Sequence, residues 1–563
     1  VVDNGVGVPR FVESAGGIFG SGGYIEFVAR PQLTLASPVD AYVLTLDQRR
    51  AIAVSSVEPG RGPQGVTTAT DRYRSDSIYT FASPNGDPWF DATVLAWGAA
   101  ATLSRTFDLP DLAAGPVNLK VRLWGYGDQE GSAPDHHVIV KLNGTEIAQR
   151  TFDGFLPWEP EVEVSGVAQA SGNVLEIELP WDTGYSWDYI GFEGFEATYS
   201  RATVARDERF QGTAEFQRAF RISGFAANAP VAIWKASGPT MTRQLREPVG
   251  GVVLAAGGPG NVYAASQSAL LRPGIVAGVP AAKLSSQAEY LIVTHPAFAD
   301  SMADLVELEE SRGFETEVVT VDRIFAAYSD HASSAAALKS FLGASLRQGN
   351  LRYVLLVGAD TTDPYDHLGL GSISFVPTDY QDFPPVARFS PTDETLVDRQ
   401  NDGVGDVPIG RLPVRTPAEL EAVVAKLYAW EAAIGSGQAS ALLTAGQSDG
   451  SRAISFVNES YAASLASWNT VLAQVDDAGV PVVRQQVLEA INSGAHLVSY
   501  VGHSSMGQWD FTPILQWQDV ATLSNSGLPN LFTAWGCWNS YYVEPTIESL
   551  SARLLRQPNA GAA

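Results

Sequence analysis

A histidine and the single cysteine of the chain each follow an apolar run in its C-terminal part. His503 comes after HLVSYVG, and Cys537 comes after NLFTAWG, 34 positions later. A glycine precedes each of them, Gly502 and Gly536, and glycine lets the backbone turn sharply or approach a substrate closely. Because a thiolate beside an imidazole attacks carbonyl carbon, the pair predicts acyl transfer through a covalent intermediate.

A second interpretation of these residues involves no chemistry. A lone cysteine is commonly a small buried hydrophobe, and a histidine in a loop commonly has no reactive role. The placement of both residues after strand-like runs favours the chemical interpretation, because reactive groups of open parallel α/β sheets lie beyond the carboxyl ends of strands. The reactivity of the thiol distinguishes the two interpretations, because a buried structural cysteine should not react with iodoacetamide at neutral pH and an activated one should.

The elements that would position this pair begin at Glu289. From there, short apolar segments such as EYLIVTH, RYVLLVGAD and HLVSYVG alternate with helical patterns such as AELEAVVAKLYAWEAAI. The alternation predicts a largely parallel sheet with helices on both faces. One helix start is well marked, because Thr416, Pro417 and Glu419 form a capping box with proline at the first helical position.

The chain before this point is predicted to be all-β. The alternating runs HHVIVKL and EIAQRTF flank Asn143 and Gly144, a dipeptide suited to a two-residue hairpin turn. The fold class is therefore multidomain, with N-terminal all-β sandwich domains followed by a Rossmann-like α/β domain with a mostly parallel sheet. The predicted divisions are a leading β segment at 1–95, a β-sandwich at 96–203, a connecting β region at 204–287 and the α/β domain at 288–563.

Charge and hydropathy exclude two classes of function. The chain has 62 acidic and 36 basic residues and a formal charge of -26, so a surface that tracks nucleic-acid phosphates is not expected. No apolar run approaches the roughly 20 residues that cross a bilayer. The first residues, VVDNGVGVPR, have neither the charged nor the apolar region of a signal peptide.

The segments around the two reactive residues resemble a known family. YVGHSS and WGCWNSYYVEP are similar to the catalytic signature of the gingipain-type cysteine peptidases, which have the caspase-haemoglobinase fold. EYLIVTHPAF, RYVLLVGADTTDP and DVPIGRLPVRT resemble earlier parts of such enzymes, and HHVIVKLNGTEI resembles their preceding β-sandwich. The resemblance covers residues from about 96 to the end of the chain, and Ser504 stands where the better-known members have glycine.

This resemblance implies a caspase-like catalytic domain, in this chain one without its final strand, in a secreted or cell-surface bacterial endopeptidase. It places His503 and Cys537 as a catalytic dyad. The backbone N–H groups of Ser504 and Cys537 are the expected oxyanion donors, which a serine side chain would leave in place. An acidic third member has no clean match, and Asp449 is the candidate.

Other acidic residues are weaker candidates for a site. Asp398, Asp402 and Asp406 have the spacing of a calcium loop, and the family implies structural calcium, but position twelve of that loop is Ile409 and a solvated turn is the alternative. The adjacent His136 and His137 would face opposite sides of a strand, so they do not predict a metal site. No cofactor is expected for catalysis.

The sequence leaves three functions open. The first is hydrolysis of protein or peptide substrates. The alternatives are a catalytically inactive extracellular binding or adhesion module and a sortase-like transpeptidase. The aromatic residues of WDTGYSWDYIGFEGF predict either a carbohydrate-binding surface on the β domains or ordinary packing. A pocket for a basic side chain would need an acidic floor, for which Asp449, Asp510 and Asp519 are candidates.

Overall fold

Strands fill the first half of the chain, and strands alternate with helices in the second half, in this computed structural model. The described residues are 2–3, 6–14, 19–30, 34–35, 37, 41–44, 55–56, 62–63, 65–131, 134–214, 219–237, 240–275, 284–384, 387–434, 439–558 and 560–562. The chain forms two units. The first is Val1–Gln32, Ala41–Gly278 and Gln381–Ser390, and the second is Leu33–Asp40, Val279–Tyr380 and Pro391–Ala563.

The strands of the first unit pair antiparallel, as the alternating runs predict, except that Ser55–Ser56 pairs in parallel with Thr240–Arg246. Its strands are β1 (Val2–Asp3), β2 (Val6–Gly7), β3 (Arg10–Glu13), β4 (Tyr24–Phe27), β5 (Ser55–Ser56), β6 (Val66–Tyr73), β7 (Ile78–Tyr79), β8 (Trp89–Phe90), β9 (Ala92–Trp97), β10 (Ala101–Phe107), β11 (Leu112–Gly125), β12 (His136–Leu142), β13 (Thr145–Phe152), β14 (Pro157–Trp158), β15 (Glu161–Val164), β16 (Asn173–Leu179), β17 (Trp187–Ala202), β18 (Arg209–Ala214), β19 (Phe220–Ile222), β20 (Val231–Ser237), β21 (Thr240–Arg246), β22 (Val253–Ala255) and β23 (Gly260–Ser266).

Two sheets of this unit pack face to face. One has the order β10-β16-β12-β13, and the other is an 11-stranded sheet in which β11 and β17 pair. Their inner faces share one core that includes Val121, Val140, Ile177 and Phe192. The alternation along each strand places these side chains inward, so the arrangement is a β-sandwich. The predicted boundary at residue 95 lies inside β9, which pairs with β17.

The predicted hairpin turn is confirmed. Asn143 and Gly144 connect β12 to β13 with φ angles of 50° and 78°, which are the two positive values of a type I′ turn. The adjacent histidines of β12 face opposite sides, as predicted. His136 is fully buried against Asp188, with 2.8 Å between Nδ1 and Oδ1, whereas Nδ1 of His137 lies 2.8 Å from Asp182 Oδ1 at the surface.

The second unit has parallel strands joined by helices, together with one short antiparallel pair, Gln508–Trp509 with Leu515–Gln516. Its strands are β24 (Tyr290–Thr294), β25 (Thr316–Thr320), β26 (Tyr353–Val357), β29 (Ile409–Leu412), β30 (Ser440–Ala445), β31 (Asn469–Gln474), β32 (Leu497–Val501), β33 (Gln508–Trp509), β34 (Leu515–Gln516) and β35 (Leu531–Trp535). The strands β27 (Asp379–Phe383) and β28 (Ala387–Thr392) pair with each other, and Gln381–Ser390 is assigned to the first unit. The helices are α1 (Ala303–Ser311), α2 (Val321–Tyr328), α3 (Ala335–Leu346), α4 (Pro417–Ile434), α5 (Ala453–Ser464), α6 (Val475–Ala478), α7 (Val480–Asn492), α8 (Trp517–Val520) and α9 (Leu550–Arg556).

The parallel strands form two sheets of four and not one continuous sheet. The first parallel sheet has the order β25-β24-β26-β29, and the second has the order β31-β30-β32-β35. Helices cover both faces of the first sheet. In β24, Leu291 and Val293 pack with α2 and α3, whereas Ile292 packs with α1 and α4. Strands buried on both faces need apolar side chains at every position, which explains the continuous run YLIVT.

The second parallel sheet carries the predicted reactive residues. One of its faces packs on α7, α8 and α9 through a core that includes Leu442, Val498 and Tyr500. On α5, Asn458 Nδ2 donates to Leu443 O of β30 at 2.9 Å.

The predicted capping box of α4 is confirmed. Glu419 N donates to Thr416 Oγ1 at 3.3 Å, and Thr416 N donates to Glu419 Oε2 at 3.2 Å.

Candidate active site

The carboxyl ends of three neighbouring strands lie level at one edge of the second parallel sheet. Ala445 of β30 pairs with Val501 of β32, and Val501 pairs with Trp535 of β35. The ladder continues one step further, since Gly446 N donates to Val501 O at 2.9 Å and Gly502 N donates to Trp535 O at 3.2 Å. The loops that begin at 446, 502 and 536 therefore leave the sheet side by side, and they carry Asp449, His503 and Cys537.

Both glycines before the reactive residues are required by close packing. A Cβ atom on Gly536 would lie 2.3 Å from Ser504 Oγ and 2.8 Å from Gly502 O. A Cβ atom on Gly502 would lie 2.6 Å from the hydroxyl of Tyr500. The φ angle of Gly502 is 154°, which is rare for residues with a side chain. Because neither glycine has a side chain, the loops after β32 and β35 can contact each other. The sequence predicted that these glycines allow a sharp turn or a close approach of substrate, but not this contact between loops.

His503 faces the loop that follows β30. Its Nε2 lies 3.4 Å from Asp449 Oδ2, where 39% of the His503 side chain and 84% of the Asp449 side chain are exposed. The ring of Phe511 packs on the imidazole with 4.7 Å between ring centroids. The structure thus brings Asp449 to the histidine, although Gly446 and Gln447 stand closer to the strand end.

Cys537 is exposed, and its backbone is tied to the histidine loop. Ser504 Oγ donates to Cys537 O at 2.6 Å, and Asn539 Nδ2 donates to Ser504 Oγ at 2.7 Å. Trp538 follows with a φ of 63°, a left-handed conformation that is a genuine outlier for a bulky residue. The serine hydroxyl therefore fastens the two loops together, and the buried amide of Asn539 holds the hydroxyl in place.

The backbone around the pair offers donors for a negative charge. Within the part of the chain that the structure describes, the N–H groups of Ser504 and Cys537 donate to no backbone or side-chain acceptor. Ser504 pairs with Trp509 across a bridge whose hydrogen bonds use the N–H groups of Ser505 and Asp510 instead. Both N–H groups are therefore free to bind an oxyanion, as their positions after parallel strands allow.

The buried carboxylate of Asp510 connects these loops, a position that the sequence alone does not predict. Asp510 is 3% exposed, and its Oδ2 and Oδ1 accept from Gln447 N and Phe511 N, both at 2.7 Å. Its own N–H donates to His503 O at 2.7 Å. Asp510 thus links the loop after β30 to the loop after β32, and it is not available as the acidic floor of a substrate pocket. In the sequence, the only feature that could have indicated this position is an acidic residue between two aromatic residues, Trp509 and Phe511.

Tyr500 supports the same carbonyl from inside the sheet. Its hydroxyl donates to His503 O, and its ring stacks on Trp509 with 4.6 Å between centroids. Burial, with the Asp510 charge adding to it, raises the pKa of Tyr500 above its usual value, so the hydroxyl keeps its proton and remains a donor. His503 O therefore accepts from two groups, Tyr500 and Asp510.

Residues after Cys537 are also held by the first parallel sheet. Thr362 N donates to Val543 O at 2.8 Å, and the hydroxyl of Tyr542 lies 3.3 Å from Asp393 Oδ2. Arg411 Nε and Nη2 both bond Asp393 at 2.7 Å. Burial raises the pKa of Asp393, but the Arg411 guanidinium outweighs this effect and holds that pKa below its usual value. A buried ion pair thus anchors the chain segment that follows the cysteine.

The predicted calcium residues cap their own loop. Asp398 accepts from Asp402 N at 3.2 Å and Gly403 N at 2.9 Å, and Asp406 accepts from Arg399 N at 3.1 Å. Among the residues that the structure describes, no three His, Cys, Asp or Glu side chains converge as a metal ion would require. A calcium site at this loop stays a prediction.

Comparison with known proteins gives a family match. The model of peptidase family C25 matches residues 283–563. No curated protein matches the chain. The solved structure of dimeric latent PorU from Porphyromonas gingivalis is similar at 16% identity and a TM-score of 0.48, over 68% of this chain and 40% of that one. The complex of the pro- and mature domains of RgpB, also from Porphyromonas gingivalis, is similar at 21% identity and a TM-score of 0.39, over 49% of this chain and 62% of that one.

A third similar structure covers a smaller part of the chain. It is the CBM36-1 domain of a multidomain xylanase from the hindgut metagenome of Trinervitermes trinervoides, at 17% identity and a TM-score of 0.15, over 23% of this chain and 96% of that domain. In the described part of the chain, none of the helices has the length and apolar character to cross a bilayer.

Proposed function

Because the chain belongs, through residues 283–563, to peptidase family C25, the gingipain family of cysteine peptidases, we propose that it is an endopeptidase with a His503 and Cys537 dyad. The observation that carries this proposal is the pairing of Val501 with Trp535, which sets the loops of the two residues side by side at one sheet edge. The exposed thiol of Cys537 supports it. A buried cysteine would have favoured a packing role.

In the proposed reaction, His503 takes the proton of the Cys537 thiol, and the thiolate attacks the carbonyl carbon of the substrate. The N–H groups of Ser504 and Cys537 bind the carbonyl oxygen as it becomes an anion. The C–N bond then breaks, and His503 gives its proton to the leaving amine. Water attacks the resulting thioester and returns the thiol, which balances the hydrolysis of one peptide bond.

We assign a supporting role to Asp449. A carboxylate that accepts from an imidazole N–H orients the ring and stabilises its protonated form. Asp449 Oδ2 lies 3.4 Å from His503 Nε2, which would leave Nδ1 of the ring for the thiol. Because Asp449 is largely exposed, water competes for this contact, so we expect its removal to reduce activity far less than removal of either dyad member.

The proposed substrates are proteins or peptides outside the cell. The resemblance to gingipain-type peptidases supports secretion or attachment to the cell surface, and it also supports the calcium prediction for Asp398, Asp402 and Asp406. Fractionation of the source organism would test the location. A peptidase assay with added calcium or with a chelator would test the ion.

An exposed tryptophan in the first unit supports a separate binding role for the β domains. Trp97 is 72% exposed and pairs directly with Trp187 across β9 and β17. A sugar ring packs its C–H face on an aromatic ring, so this pair suits a carbohydrate ligand. Retardation of the protein in gels that contain soluble polysaccharides should be lost in Trp97→Ala, whereas no retardation by any of them would exclude the ligand.

Thiol labelling and cleavage together test the peptidase. Iodoacetamide should label the wild type at neutral pH, and Cys537→Ser supplies a matched control because it removes the only cysteine. A fluorogenic peptide library under reducing conditions should be cleaved by the wild type and not by Cys537→Ser or His503→Ala. If the folded wild type neither cleaves nor takes up the label, the binding-module alternative is favoured, and ligands of the β-sandwich should be sought. Products that carry an added amine nucleophile would identify a transpeptidase.

A further inference from the structure

Two large apolar side chains are exposed beside the proposed dyad. Phe511 is 76% exposed and packs on His503, while Trp535 is 62% exposed and lies two residues before Cys537. Trp535 faces Tyr461 of α5 with 6.5 Å between ring centroids. Each exposed ring offers apolar surface that a ligand at this edge can cover. The edge therefore offers one aromatic surface on the histidine side and another on the cysteine side.

Two of the three acidic residues that the sequence offers for a basic pocket, Asp510 and Asp519, already have other partners. Asp510 is buried and accepts from two backbone N–H groups. Asp519 pairs with Arg484 at 2.8 Å, and Glu544 accepts from the hydroxyl of Thr546 at 2.6 Å. An acidic floor that selects arginine or lysine needs a carboxylate that is free to pair with the substrate. Of the three sequence candidates, Asp449 alone is exposed, and it already faces His503.

We infer that the site selects a large apolar or aromatic side chain at the residue before the scissile bond. This inference rests on the proposed peptidase function. The carbonyl of that residue becomes bonded to Cys537 Sγ, so its side chain must lie within a few ångströms of the dyad, where Phe511 and Trp535 are exposed. Covering the two rings removes apolar surface from water, which stabilises the complex with an apolar residue. A charged side chain gains only the stacking of its cation on a ring, and it loses part of its hydration without pairing with a carboxylate.

The test compares matched peptides that differ only before the scissile bond, with phenylalanine, leucine, alanine, arginine or lysine at that position. We expect kcat/KM for the phenylalanine and leucine peptides to exceed that for the arginine peptide by about tenfold or more, the scale on which apolar pockets discriminate. Phe511→Ala and Trp535→Ala should each reduce the ratio of kcat/KM for the phenylalanine peptide to kcat/KM for the alanine peptide, measured with the same variant. Phe19→Ala, an exposed phenylalanine of the first unit, is the control.

Three outcomes are informative. Cleavage that favours the arginine or lysine peptide would overturn the inference while leaving the peptidase intact. Unchanged selectivity in both Phe511→Ala and Trp535→Ala would overturn it as well. Absence of cleavage and of thiol labelling in the folded wild type would instead remove the peptidase function on which the inference rests.

Discussion

Replacing Gly536 by alanine is a direct test of the contact between the two reactive loops. The new Cβ would lie 2.3 Å from Ser504 Oγ and 2.8 Å from the backbone oxygen of Gly502, whereas ordinary contact begins at 3.4 Å. The serine hydroxyl must therefore move by about 1 Å, which breaks its bond to Cys537 O, and Gly502 must move by about 0.6 Å. Overpacking of this kind costs about 1 to 3 kcal/mol of folding free energy.

The effect on catalysis should be larger than the effect on folding. Misplacement of a reacting group by about 1 Å costs about 100-fold in rate, so we expect kcat/KM of Gly536→Ala to fall by about two orders of magnitude. Urea denaturation and peptide cleavage measure the two quantities on the same preparation. Gly343→Ala in α3 is the matched control, because its Cβ would meet nothing closer than 3.7 Å.

A second substitution separates the two clashes. Ser504→Ala removes the hydroxyl that the new Cβ would meet but leaves the Gly502 oxygen in place. In the wild-type background, Ser504→Ala should cost about 1 kcal/mol through the lost hydrogen bond to Cys537 O. In the Gly536→Ala background it should cost less or restore stability, so the double-mutant cycle should give a favourable coupling. If Gly536→Ala is as active as the wild type, the close contact of the loops is not needed for catalysis.

Two further predictions concern groups that support the site, and a third concerns Lys426, a buried lysine of α4 whose Nζ donates to the carbonyls of Leu554 and Ala560. Tyr500→Phe removes one of two donors to His503 O, and it should lower kcat/KM by about three- to tenfold, the worth of one hydrogen bond, with KM unchanged in peptide assays. Arg411→Lys breaks the two-point contact with Asp393 and should lower the free energy of unfolding by about 3 kcal/mol in urea titrations, whereas a loss below 0.5 kcal/mol would contradict the buried pair. Burial lowers the pKa of Lys426 from 10.5 to about 8. Between pH 8 and pH 10.5 the unfolded chain therefore binds more protons at Lys426 than the folded chain does. The free energy of unfolding in urea titrations should consequently rise over this pH range in the wild type relative to Lys426→Met.

Much of the architecture could be predicted from local patterns. The Asn143 and Gly144 hairpin and the Thr416 capping box are set by residues within four positions of each other, and both are confirmed. The division of the parallel strands into two sheets could not be predicted. The apolar runs of β26 and β30 do not indicate which strand pairs with which. Periodicity gives the faces of a strand and not its neighbours.

The same limit applies to the site. Placement of His503 and Cys537 after apolar runs was sufficient to predict that they lie at strand ends, and the register of β32 with β35 agrees. The carboxylate of Asp510 lies 63 positions from the backbone N–H of Gln447 that it binds, so no local pattern could predict that contact. An acidic residue within QWDF is equally consistent with a solvated turn.

A polar residue such as Asp510 would be predicted at the surface from its polarity alone, yet it is buried and supports the loops that carry His503 and Cys537. Backbone N–H groups at the ends of parallel strands lose their ladder partners, and those that are buried must bond elsewhere. Asp510 satisfies Gln447 and Phe511, whereas the N–H groups of Ser504 and Cys537 remain free within the described residues. The fold therefore binds the Gln447 and Phe511 donors internally and leaves two N–H groups for the proposed oxyanion. Substitutions at Asp510 should consequently loosen the Gln447 loop and lower the stability of the protein, whereas substitutions at Cys537 should abolish cleavage without destabilising it.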